Sequence, residues 1–306
     1  MRVLVTGAGG FVGKALVAQL ARGGVEVLAT DRDCRGLAAL GASQLFDGDL
    51  CDPAVRRAAI EHADAVIHLA TVPGGAAEDD PELARRINVD AAMALSWEFA
   101  ALRPNAPFVF ASSIAVFGAP LPAQVSDETP LAARMLYGAH KAMLESWLAT
   151  LSRRGQLSAI SLRLPGIVAR GGGPSGMNSA FISDLFHALA SDRAIELPVS
   201  PDATTWLMSV RRAAACLAHA IGASRAELPS NCAVTLPALR VRIGELVTEI
   251  ARQLNADAGL VSFDPDAAIE QAFGRQPPLS TPTAIRLGFE ADGSIEELVR
   301  SAVESL

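Results

Sequence analysis

The strand-like run Arg2-Val3-Leu4-Val5-Thr6 passes straight into Gly7-Ala8-Gly9-Gly10-Phe11-Val12-Gly13, and a helical stretch begins at once with Lys14. Few local patterns restrict a fold so strongly. Glycine at position 7 permits a tight turn, at position 10 a close approach of a pyrophosphate to the backbone, and at position 13 close packing of helix on strand. An anion then meets the free N–H groups of the helix start, Phe11 and Val12 included. A Walker A loop is the rival reading of Gly13-Lys14. It fails because Ala8 stands where the first glycine belongs and Ala15 where a Ser or Thr must hold magnesium.

A dinucleotide site also needs an acid at the end of the second strand, for the adenosine ribose hydroxyls. Asp31 closes the run 25–30. Its carboxylate repels a 2′-phosphate and favours NAD over NADP, whereas a guanidinium at Arg32 could accept that phosphate. Asp49 and Leu50 follow the third candidate strand and either meet the adenine edge or form a turn.

Apolar runs at 2–6, 25–30, 43–46, 65–69, 108–111 and 159–164 alternate with helical stretches at 13–21, 53–60, 82–101 and 136–152. Such alternation predicts an α/β fold, a Rossmann-type doubly wound parallel sheet covered on both faces. After Arg163 the texture changes, with five glycines and two prolines in 165–176. We expect an NAD-binding domain over 1–164, rejoined by about 205–235, and a smaller C-terminal substrate lobe from 165–204 and 236–306.

Composition excludes several classes of function. A net charge of -7 without a Lys/Arg cluster argues against nucleic-acid and anionic-membrane partners. No signal peptide and no apolar run of transmembrane length is evident, and the four scattered cysteines fit a reduced, cytoplasmic setting. The five histidines lack metal-ligand spacing, so no metal site is expected.

The single tyrosine, Tyr137, stands four residues before Lys141. A free phenol titrates near pH 10, and an ammonium one helical turn away favours the phenolate. Upstream, Ser112-Ser113 ends the fifth candidate strand, where open α/β sheets place ligands.

With these motifs in this order, the chain resembles the extended short-chain dehydrogenase/reductases, the NAD-dependent epimerase/dehydratase superfamily, along essentially its whole length. The resemblance implies Ser113 as the catalytic serine and Tyr137 as the general acid/base. Lys141 would bind the nicotinamide ribose and lower the tyrosine pKa. It also implies cofactor contacts from Leu69, Ala70, Thr71 and Pro165, and from Asn88, which could equally be a helix-surface residue. Ile114 and Ala115 replace the Asp-Glu pair of dehydratases. Gly166-Ile167-Val168 and Thr204-Thr205-Trp206 lack the asparagine and arginine that nucleotide-sugar enzymes use. A small substrate is therefore expected.

Ser112–Pro122, Leu162–Pro165 and Trp206–Ser209 look most like the D-erythronate dehydrogenase group, although Gly173, Ser175 and Thr204 stand where lysine, asparagine and arginine are expected. The implied reaction is NAD-dependent oxidation of a secondary hydroxyl of a small sugar acid; an NAD-dependent sugar or nucleotide-sugar epimerase is the alternative. Substrate contacts are expected from Ser112, Ser113, Gly74, Asn178 and Ser179. Arg170 and Arg211 are candidate carboxylate partners or surface arginines, and Trp206 either edges the pocket or packs in the core. In the family the helices at 82–101 and 136–152 pair across a twofold axis, which implies a homodimer.

Overall fold

The computed structural model describes residues 1–171 and 180–306. The first half runs β1 (Arg2–Thr6), α1 (Phe11–Arg22), β2 (Glu26–Asp31), β3 (Ala42–Asp47), α2 (Pro53–Ile60) and β4 (Ala65–His68). It continues with α3 (Gly74–Asp79), α4 (Pro81–Arg85), α5 (Ala92–Leu102), β5 (Pro107–Ser113), α6 (Leu136–Arg153) and β6 (Ser158–Leu164). Then come β7 (Gly166–Val168), α7 (Phe181–Ala190), β8 (Ile195–Leu197), β9 (Thr204–Ser209), α8 (Val210–His219) and β10 (Ala233–Thr235). The chain ends with β11 (Leu239–Arg242), α9 (Ile243–Leu254), β12 (Val261–Phe263), α10 (Ala267–Phe273), α11 (Pro282–Arg286) and α12 (Ile295–Val303).

Among the described residues seven strands form one sheet in the order β10-β6-β5-β4-β1-β2-β3, every pairing parallel. This is the Rossmann-type doubly wound sheet that the strand–helix alternation predicts. Successive side chains of a strand point to opposite faces, and both faces of this sheet are covered. Val3 and Val5 join the core built with Leu16, Val17 and Leu217, whereas Leu4 joins Leu95, Phe99 and Leu144 on the other side. The strand order reverses between β1 and β4, and ligands of such sheets bind at that crevice.

The helix expected over 82–101 is divided. Residues Arg86–Ala91 form a π-helical segment between α4 and α5, and this turn buries Asn88. The short strand β10 and the second sheet, of order β11-β9-β7, were not foreseen. The C-terminal part has its own core, in which Phe186, Leu207, Leu246, Ile250 and Leu298 meet. Strand β9 touches three cores through three consecutive residues: Trp206 packs with Val116 and Phe117, Leu207 with Leu246, and Met208 with Leu217.

Among the described residues no helix is long and apolar enough to cross a membrane, and no cluster of His, Cys, Asp or Glu could hold a metal ion.

Candidate active site

The glycine turn is built for close approach. Gly7 has φ +68°, and a Cβ there would lie 2.7 Å from the Ala70 nitrogen, at the end of β4. A Cβ at Gly13 would overlap the Gly7 carbonyl oxygen, and one at Gly10 would come within 3.2 Å of it. No side chain caps α1, so the N–H groups of its first turn, at Phe11, Val12 and Gly13, face the crevice as donors. The cradle therefore fits the pyrophosphate of a dinucleotide.

At the outer end, Asp31 Oδ2 accepts a hydrogen bond from the Gly9 N–H at 2.9 Å. Gly9, absent from the expected contacts, thus orients the Asp31 carboxylate; its Cβ would press on the Asp33 backbone and the Asp31 carboxyl. Arg32 is exposed, and with Arg86 it holds Asp49 electrostatically. Asp49 caps its own turn through the Cys51 N–H at 2.8 Å, a bond that leads the lowering of its pKa. Leu50 is buried, and its carbonyl accepts from Arg56 Nη1 at 2.7 Å.

The loop after β4 is pinned from below. Asn88 Oδ1 accepts from Thr71 Oγ1 at 3.0 Å and from the Val72 N–H at 2.7 Å, while Nδ2 donates to the Val72 carbonyl at 3.0 Å. Asn88 thereby shapes the loop and stays outside the cavity that this loop borders. Thr6 Oγ1 similarly accepts from the N–H groups of Leu69 and Ala70, at 3.2 and 3.3 Å, and bonds His68 Nδ1 at 2.7 Å. Burial drives the His68 imidazole down to about 3, helped by the Lys141 charge, so His68 is neutral.

Ser113, Tyr137 and Lys141 come together at the C-terminal end of β5. Residues 112 and 113 lie on opposite faces of the strand. Ser112 borders the cavity described below, while its hydroxyl donates to Glu145 Oε1 at 2.5 Å. Glu145 and Arg163 pair through Oε2 and Nη2 at 2.7 Å, each only 3 % exposed. Ser113 faces the crevice, where its Oγ accepts from the Ala115 N–H at 3.1 Å.

Lys141 is buried, and its Nζ donates to the Ala111 carbonyl at 2.7 Å, lying 5.3 Å from the centre of the Tyr137 ring. Burial brings its pKa down to about 7 against the pull of Glu145. Desolvation raises the Tyr137 pKa, while the nearby Ser113 hydroxyl and the Arg170 guanidinium oppose that rise. Two cationic side chains therefore stand near the phenol, Lys141 against its ring and Arg170 across the cavity. Burial lowers the pKa of Arg170 itself, and Tyr137 counteracts this.

These groups line a mostly apolar cavity of about 500 Å³ between the sheet and the smaller lobe. Val12, Leu69, Thr71, Gly74, Ser113, Tyr137, Lys141, Pro165, Arg170 and Trp206 all border it. Trp206 is buried, with Nε1 donating to the Pro277 carbonyl at 2.7 Å. Arg211 lies on the surface, paired with Glu304 at 3.1 Å. Asn178, Ser179, Gly173 and Ser175 lie outside the described residues. Arg134, Gln271 and Gln276 also reach the cavity. None carries a sequence signal of its own; only packing of loops distant in sequence brings them there.

A parallel sheet with a glycine cradle at its reversal point, closed by a second lobe over a serine, a tyrosine and a lysine, defines a dinucleotide-dependent enzyme of the Rossmann type. The chain belongs to the NAD dependent epimerase/dehydratase family, whose pattern matches residues 3–229, and its cofactor is NAD. It is similar to a D-erythronate dehydrogenase of Cupriavidus necator, 36% identical over 99% of this chain and 98% of the relative. A D-erythronate dehydrogenase of Haemophilus influenzae is 28% identical over 99% of both chains. Among solved structures, a nucleoside-diphosphate-sugar epimerase from Agrobacterium tumefaciens superposes with a TM-score of 0.87 at 27% identity, covering 99% of this chain and 94% of that one.

Proposed function

We propose that this NAD-dependent dehydrogenase oxidises a secondary hydroxyl of a small sugar acid of the D-erythronate type. The observation that carries the reading is the pairing in one cavity of a proton-accepting phenol, Tyr137, with a guanidinium, Arg170, that acts on it electrostatically. A hydroxy acid needs both a base for its alcohol and a cation for its carboxylate. Whole-length similarity to two D-erythronate dehydrogenases supports the choice of substrate.

The backbone of Gly7, Gly10, Phe11, Val12 and Gly13 would hold the pyrophosphate of NAD, Asp31 the adenosine ribose, and Lys141 the nicotinamide ribose. When bound, NAD supplies the hydride acceptor. Tyr137, as phenolate, takes the proton from the substrate hydroxyl as its carbon becomes a carbonyl. The bond from the Ala115 N–H occupies one lone pair of Ser113 Oγ, so the Ser113 proton can turn outward to the substrate oxygen. Lys141 is held by the Ala111 carbonyl, which keeps its Nζ against the tyrosine ring. The apolar walls exclude water and strengthen each of these interactions.

We assign the substrate lobe to 165–204 and 236–306, and take the enzyme to act as a homodimer through α5 and α6. Incubation with D-erythronate and other four- to six-carbon aldonates, with free NAD, tests the reading. Growth of NADH absorbance supports it. Retained NAD without NADH release, together with inversion of a sugar carbon, would replace it by the epimerase alternative.

A further inference from the structure

Gln276 comes from the segment after α10, far in sequence from the catalytic residues, yet it forms part of the cavity wall. Its side-chain oxygen accepts from the Trp206 backbone N–H and, at 3.4 Å, from the Thr205 hydroxyl. A backbone N–H can only donate, so the atom facing it must be the carbonyl oxygen; the orientation of the amide is dictated by chemistry. Its main chain is tied as firmly. The Gln276 N–H donates to the Thr204 carbonyl at 3.0 Å, and the Gln276 carbonyl accepts from Thr204 Oγ1 at 2.9 Å and Arg240 Nε at 2.8 Å. The residue is only 7 % exposed.

Among the described residues Nε2 has no hydrogen-bond partner, although it is not sealed off as a buried orphan. The opening left to it is the cavity. A rigidly held –NH2 with both protons on offer is satisfied by water until a ligand enters, and the ligand must then bring an acceptor in place of that water. Arg170, on the same cavity, is likewise a donor without acceptor capacity. Two donor-only groups suit a carboxylate, whose two oxygens are acceptors only, better than a hydroxyl, which brings a proton of its own.

We propose that Gln276 is a specificity residue whose Nε2 donates to a carboxylate oxygen of the hydroxy-acid substrate. This rests on the dehydrogenase reading given above. The carboxyl group is held at the β9 wall, and the hydroxyl is thereby left for Tyr137 and Ser113. Gln276 acts on selection of the substrate and leaves the chemistry to those two residues.

Gln276→Glu separates this role from that of a strand clamp. Glutamate keeps the oxygen that serves Trp206 and Thr205, and exchanges only the donor for a second, negatively charged oxygen. The probes are D-erythronate and its neutral amide, each with NAD. KM for D-erythronate should rise by about 30-fold with kcat changed by less than about threefold, and the acid-to-amide ratio of kcat/KM should fall by at least about tenfold. NAD affinity by calorimetry should match the wild type. The ratio compares two substrates on the same molecules, so partial misfolding cannot mimic it. If the Glu variant does not fold, Gln276→Met serves, with the same fall in ratio expected in weaker form. An unchanged ratio and KM in an active, folded variant would overturn the assignment and leave Gln276 as a clamp of β9. A wild type inert towards D-erythronate and every other sugar acid would instead overturn the dehydrogenase reading itself, and this inference with it.

Discussion

Lys141 Nζ donates to the carbonyl oxygen of Ala111 at 2.7 Å, and with the bond of Ser112 to Glu145 this contact ties α6 to the end of β5. Tyr137 lies one helical turn earlier on α6, and Ser113 lies two residues beyond Ala111 on β5. The contact therefore bears on the separation of Tyr137 and Ser113, the base and the assisting hydroxyl of the proposed mechanism. Removing the lysine should disturb geometry as well as charge.

Tyr137→Phe deletes the proposed proton acceptor and leaves the ring in place. Turnover of D-erythronate should fall by about 1000-fold or more, within the range expected for loss of a general base. The NAD dissociation constant should stay close to the wild-type value, measured by calorimetry. Wild-type turnover in this variant would remove Tyr137 from the mechanism.

Desolvation raises the Tyr137 pKa, and Arg170 works against that rise. In the proposed mechanism the phenolate is the active form, so kcat should climb as pH increases. Arg170→Leu removes the opposing charge, raises the pKa further and moves the climbing limb to higher pH. Arg170→Lys, which keeps a cation, should move it less. A limb unmoved in Arg170→Leu would contradict the coupling.

Lys141 has an ordinary pKa of 10.5 that burial brings to about 7. Between these values the unfolded chain binds a proton that the folded protein does not, so the native state gains stability as pH rises through that window. The full penalty applies below the lower value and is on the order of a few kcal/mol. Lys141→Met should therefore raise the melting temperature near neutral pH, with a gain that shrinks towards alkaline pH, while activity is lost. A gain independent of pH would contradict the linkage.

Asp31 is held by the Gly9 N–H at 2.9 Å, and in the proposed cofactor site its charge would oppose a 2′-phosphate. Asp31→Ser should weaken NAD binding and narrow the preference over NADP by roughly tenfold or more, about 1.4 kcal/mol. Titration of both cofactors by fluorescence measures this. An unchanged preference would move discrimination to Arg32 or elsewhere.

Trp97 and Met143, on α5 and α6, remain 48 % and 53 % exposed in the single chain, and the Trp97 and Trp147 rings lie 6.0 Å apart. Exposed aromatic and thioether surface on two adjacent helices suits a subunit contact. Light scattering should give twice the chain mass at micromolar concentration, and Trp97→Glu with Met143→Glu should give the monomer. A monomeric wild type would dismiss the dimer.

The sequence carried the Rossmann half well because its strands are short apolar runs punctuated by glycine, and α2 begins and ends where the apolar spacing places it. Strand β10 has three residues and is defined only by pairing with β6, so local pattern held no trace of it. Strand alternation separates Ser112 from Ser113 but does not say which faces the crevice; the buried Glu145–Arg163 pair decides that. Asn88 became legible only once the π-helical turn directed it at the loop after β4. Gln276 was invisible for another reason: its role depends on hydrogen bonds to β9, and a glutamine among prolines carries no motif.

Strand β9 has a consequence for how this enzyme can diverge. Trp206, Leu207 and Met208 each anchor a different core. A substitution that reshapes the β9 wall of the chamber therefore disturbs the packing of both lobes together, and most such changes are eliminated by instability before selection can act on catalysis. Descendants seeking a new substrate are confined to the rim, at Arg134, Gly171 and Gln271, where the chain borders the same chamber without supporting the fold. Innovation in this scaffold is a matter of its edges.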